Sequence, residues 1–119
     1  MSKGESLYME IYGIPASPGK KCGKVFIVKS NNSPKIKSTI RNLIIAVEDF
    51  TDLGLILELR NALAFISKRG GRTSHAASII RELGIPYVSG LGDDFYKLKS
   101  NDYVLIDGFE GKITIKERS

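Results

Sequence analysis

Ala64-Phe-Ile-Ser67-Lys-Arg-Gly70-Gly71-Arg72-Thr73-Ser74-His75-Ala76-Ala77-Ser78-Ile-Ile-Arg81-Glu-Leu-Gly84-Ile-Pro86-Tyr87-Val88 is the stretch from which the fold is read. Ala64 to Ser67 is a short apolar run with the character of a buried strand. Gly70-Gly71 breaks it into a tight loop, because glycine tolerates backbone angles closed to other residues. Residues 74–83 then fit a helix. Thr73 or Ser74 can cap its start, and Gly84 with Pro86 two residues beyond is a helix stop. Tyr87-Val88 reads as another short strand.

Working outward, Leu43 to Val47 (Leu-Ile-Ile-Ala-Val) is an apolar run suited to a strand buried on both faces. Leu53 to Leu63 is rich in leucine, with Glu58 and Arg60 on the polar side, and predicts a helix capped by Thr51 or Asp52. Upstream, residues 30–41 are polar and irregular and residues 22–29 read as a strand. Ile14-Pro-Ala-Ser-Pro-Gly19, with two prolines and a glycine, reads as a loop. Residues 7–12 alternate loosely and end at Gly13, which predicts a strand, and residues 1–6 read as a flexible tail. Downstream, Gly90-Leu91-Gly92 is either a fragment of a dinucleotide motif or a plain turn. Asp102–Asp107 and Lys112–Lys116 predict two strands joined as a hairpin by Gly108-Phe-Glu-Gly111. The class is mixed α/β, with parallel and antiparallel pairing and no internal repeat.

The chain has 119 residues, of which 42% are hydrophobic and 26% charged, so it is expected to form one globular domain over residues 7–119. A kinase or synthase with its own nucleotide-binding domain does not fit in this length. No apolar run reaches the length of a membrane span. The single cysteine, Cys22, cannot form an internal disulfide, which points to the cytoplasm. The net charge of +5 is uneven: residues 1–47 carry eight Lys/Arg against two acids, whereas residues 48–119 carry ten against eleven. The basic half is either a footprint for an acidic partner or a set of solvated lysines. Aromatic residues are not interleaved with the lysines, and no helix-turn-helix, zinc-finger or RNP pattern is present, so nucleic acid is not the expected partner.

Chemistry concentrates in Gly70 to Ala77. A helix start offers unsatisfied N–H groups and partial positive charge, which together favour a phosphate. Gly70 and Gly71 let backbone amides approach a ligand, Arg72 adds a planar cation for phosphate oxygens, and Thr73 and Ser74 add hydroxyl donors. His75, the only histidine, falls in the first helical turn. A neutral imidazole nitrogen facing a bound phosphoryl group is the arrangement needed for a covalent phosphohistidine. A lone histidine is also compatible with a structural or surface role. Metal binding is not expected, with one histidine and one cysteine. The loop lacks the Gly-Lys-Ser/Thr ending of a Walker A sequence.

Residues 70–90 closely resemble the signature of the phosphohistidine swivelling domain, the mobile domain of phosphoenolpyruvate-utilising enzymes such as pyruvate phosphate dikinase, phosphoenolpyruvate synthase and phosphotransferase-system enzyme I. The likeness extends to Gly13–Gly19 with Gly23-Lys-Val, to Leu43–Thr51 and to the Tyr103–Ile115 hairpin. It implies a layered β/β/α swivelling domain. It assigns His75 as the residue that accepts and passes on the phosphoryl group, with Thr73 and Thr51 in catalytic support and Gly70, Gly71, Arg72 and Ser74 binding phosphate. Arg81 matches a helix arginine of the signature, or is a surface charge. Ser78 stands where the family usually has an aliphatic residue and is expected to be buried, bonded to its i−4 carbonyl. No cofactor is expected. In the family, this domain shuttles between partner domains, so separate ATP-binding or phosphoenolpyruvate-binding subunits are the implied partners of a stand-alone phosphocarrier. The alternative is a non-catalytic module that binds an anion or a protein through the same loop.

Overall fold

The computed structural model describes residues 9–29, 41–50, 53–70 and 74–118. The expected tail over residues 1–6, most of the irregular stretch 30–41, and both proposed caps Thr51 and Asp52 lie outside the described residues. Among the described residues there are eight strands: β1 (Met9–Tyr12), β2 (Ile14–Ser17), β3 (Lys20–Ile27), β4 (Leu43–Val47), β5 (Ala64–Ser67), β6 (Tyr87–Ser89), β7 (Tyr103–Asp107) and β8 (Lys112–Glu117). Two α-helices, α1 (Leu53–Glu58) and α2 (His75–Leu83), and a 3-10 helix (Gly92–Lys97) complete them.

The strands form one sheet in the order β1-β8-β7-β3-β4-β5-β6-β2. β3 is the pivot: it runs antiparallel to β7 and parallel to β4, and β4, β5 and β6 continue in parallel. The parallel strands are buried on both faces, as an unbroken apolar sequence requires. Ile45, Val47, Phe65 and Tyr87 point to a core shared with Ile56 and Leu59 of the α1 region and with Ala76, Ala77 and Ile80 of α2. Ile44, Ala46, Ala64, Ile66 and Val88 point the other way, onto Ile11, Val104, Ile106, Ile113 and Ile115 of the antiparallel strands. The sheet therefore folds over on itself, and the layers are antiparallel sheet, parallel sheet and helices, the expected β/β/α arrangement.

Two expectations need correction, and one further element is present. The proline-rich stretch 14–19 is not simply a loop, because Ile14–Ser17 pairs antiparallel with β6. Pro15 is tolerated because β2 is an edge strand with a register shift between Pro15 and Ser17. The helix expected over 53–63 stops at Glu58. Leu63 is drawn into the sheet instead: its N–H donates to the Leu43 carbonyl at 2.8 Å, and its side chain packs on the far side of the parallel strands. The 3-10 helix was not anticipated. Its apolar residue Phe95 is buried together with the flanking Leu91 and Leu98. The spacing of three between Phe95 and Leu98 is the 3-10 repeat, a signal too short to stand out in sequence.

The basic half is largely solvated where it is described. Lys20, Lys21 and Lys24 are exposed on β3, and Lys20 faces Asp107 at 3.7 Å. Among the described residues no helix is long and apolar enough to cross a membrane.

Candidate functional site

The site is built where β5 hands over to α2. Lys68 and Arg69 extend the strand pairing past Ser67, their N–H groups donating to the carbonyls of Val47 and Glu48 at 3.1 and 3.0 Å. Gly70 follows with φ +110°, a conformation side-chain-bearing residues rarely adopt. Ser74 is the N-cap of α2, its backbone extended and its Oγ accepting from the Ala77 N–H at 3.1 Å. At the other end Gly84 takes the left-handed conformation, φ +75°, and its N–H donates to the Arg81 carbonyl. Ala76, Ala77 and Ile80 anchor the helix on the core.

This anchoring leaves His75, the first helical residue, exposed to solvent. It stands at a cleft of about 440 Å³. Asp49, Phe50, Leu53, Gly70, Ser74, Ala76 and Tyr87 line the same cleft. Of the residues singled out from sequence, Gly70, Ser74 and His75 are thus brought together. Gly71, Arg72, Thr73 and Thr51 lie outside the described residues; Phe50 and Leu53, on either side of the Thr51-Asp52 pair, line the cleft.

Two assignments made from sequence change character. Arg81 is not a plain surface charge: its guanidinium donates to the Ala16 carbonyl at 2.9 Å and so ties α2 to the edge strand β2. Ser78 is exposed rather than buried. Its Oγ accepts from the Arg81 guanidinium at 3.4 Å.

Sequence reading missed the floor of the cleft. The Phe50 ring meets Phe65 and Tyr87 edge-on, with centroids 5.3 and 5.7 Å apart, an arrangement favoured by the ring quadrupoles. The Tyr87 hydroxyl lies 2.8 Å from Ser67 Oγ. Burial pushes the Tyr87 phenol above its ordinary pKa, the Ser67 hydrogen bond opposes that shift, and the Asp49 charge adds to it. The available signal was a pair of hydroxyl residues in otherwise apolar strands.

Gly70 at the end of β5, the capped helix α2 and His75 in its first turn all fall within the part of the chain that a family model matches. Residues 40–111 match the family described as PEP-utilising enzyme, mobile domain, and the chain belongs to that family. It is 38% identical over 102 residues to a probable phosphoenolpyruvate synthase of Pyrococcus abyssi, a match covering 85% of this chain and 12% of the relative. The chain therefore spans about an eighth of the length of that enzyme. Among solved structures, it resembles an Enzyme I (nEIt) protein determined by NMR, with a TM-score of 0.60 and 30% identity over 71% of this chain and 35% of the other. Thermococcus kodakaraensis aconitase X has a chain of the same fold, with a TM-score of 0.68 and 21% identity over 92% of this chain and 100% of that one.

Proposed function

We propose that the protein is a stand-alone phosphohistidine carrier, with residues 7–119 as its working domain and 1–6 as a tail. His75 accepts a phosphoryl group from one partner and delivers it to another in phosphoenolpyruvate- or pyruvate-linked transfer. The observation that carries this reading is the exposed position of His75 in the first turn of a capped helix, lining a cleft together with Gly70 and Ser74. A neutral ring nitrogen attacks phosphorus; the N–P bond forms as the bond from phosphorus to the donor's leaving oxygen breaks, and that oxygen keeps the bonding electrons. The reverse displacement by an acceptor oxygen releases the ring. Gly70, Gly71, Arg72 and Ser74 hold the phosphoryl oxygens in this proposal, and Thr73 and Thr51 support the ring. Membership of a family of mobile domains supports partners on separate subunits, one binding ATP or phosphoenolpyruvate. The cytoplasm suits the free, exposed Cys22.

Incubation with phosphoenolpyruvate or ATP plus cell extract, read by phosphorus NMR and intact mass, tests the proposal. The expected result is an acid-labile phosphate that His75→Ala removes completely. Absence of that phosphate, together with phosphometabolite binding that survives His75→Ala, supports the non-catalytic anion-binding module instead.

A further inference from the structure

We propose that Tyr87 is a positioning residue for the histidine loop, acting through Ser67 as a buried hydroxyl latch on the Arg69 carbonyl. The inference rests on the carrier reading and deepens it. Ser67 and Tyr87 are 0% and 1% exposed, at the end of β5 and the start of β6. Tyr87 pairs with Phe65, two residues before Ser67, and its long side chain spans that offset.

The direction of the hydrogen bonds follows from what each group can do. The Arg69 carbonyl can only accept, so Ser67 donates its single proton there. Tyr87 must then be the donor to Ser67 Oγ. Arg69 is thus held at both of its backbone groups, its N–H by the Glu48 carbonyl and its C=O by the latch. Gly70 sits directly on the pair: a Cβ there would lie 3.5 Å from the Tyr87 hydroxyl and 3.7 Å from Ser67 Oγ. Ser74, the N-cap, fixes the far end of the loop. Both anchors are therefore defined, and the near one depends on a hydroxyl that core packing alone does not require.

Phenylalanine keeps the ring and its edge contact with Phe50 while removing only the hydroxyl, so Tyr87→Phe isolates the latch. The donor in the test is potassium phosphoramidate, which needs no protein partner, with phosphorus NMR following the signal at His75. Tyr87→Phe and Ser67→Ala are each expected to slow phosphorylation about tenfold, because a small misplacement of the loop degrades attack geometry. Ser67→Thr, which keeps a hydroxyl, restores the rate to within about twofold, and the double variant is no slower than either single one. A Tyr87→Phe rate equal to wild type, or fully multiplicative single effects, overturns the proposal. If the wild-type chain itself takes no phosphate at His75, the carrier reading is what fails. The latch is then read by hydrogen exchange: the Arg69 amide should exchange about tenfold faster in Tyr87→Phe, and an unchanged rate overturns it.

Discussion

The antiparallel and parallel layers of the sheet are built on different terms. In the antiparallel layer Val104 and Ile106 of β7 and Ile113 and Ile115 of β8 face inward. Its outward positions include two charge pairs, Lys20–Asp107 and Lys112–Glu10, both at 3.7 Å. The parallel layer is apolar on both faces until β5 ends, where Ser67, Tyr87 and Ser89 bring buried hydroxyls together beneath Gly70. Among the described residues, Ser89 Oγ has no hydrogen-bond partner. An unsatisfied buried hydroxyl is destabilising by about 1–3 kcal/mol. The contrast teaches that the parallel layer exchanges an apolar interior for buried hydroxyls where the cleft opens.

The sharpest way to break this contrast is Gly108→Ala in the β7–β8 turn. A Cβ at Gly108 would overlap the Ser17 carbonyl oxygen, and neither backbone can yield cheaply. We expect a loss of about 3 kcal/mol in urea denaturation, while the folded fraction keeps the wild-type rate of the phosphorylation proposed for His75. A change in that rate per folded molecule would show that the layers are not separable.

A smaller effect distinguishes the parallel layer by pH. The Tyr87 phenol is raised above its ordinary value of 10.0 by burial. The folded state therefore holds this proton when the unfolded state has lost it. Its contribution to stability is complete below pH 10.0 and is lost as pH rises from there through the folded value. Denaturation between pH 9 and 11 should show a steeper alkaline loss in wild type than in Tyr87→Phe; parallel curves would remove Tyr87 as the cause.

The smallest effect belongs to the outer face of the antiparallel layer. Lys112→Ala removes the pair with Glu10 at 3.7 Å between partly exposed side chains. It should change stability by less than about 1 kcal/mol, with the difference shrinking in high salt. A larger loss would make that face part of the core's support.

Legibility followed the range of the signal. The hairpin of β7 and β8, the buried run of β4 and the capped helix α2 were readable because alternation, apolar continuity and caps are local. The end of α1 was not, because Leu63 joins the sheet through Leu43, twenty residues away. The strand β2 was hidden by its prolines, since only the partner β6 reveals that it occupies an edge. At the site, Gly70, Ser74 and His75 were found together because they are neighbours in sequence. The Ser67–Tyr87 contact was not found, because it depends on the parallel register that sets Phe65 beside Tyr87.

By itself, the sequence determined the helix that presents His75, its caps Ser74 and Gly84, and the family these residues mark, because capping and apolar period act over a few bonds. Only the tertiary structure decided what lies beneath Gly70. The floor is assembled from strands far apart in the chain, and the hydroxyls of Ser67 and Tyr87 acquire their partners only once β5 and β6 pair.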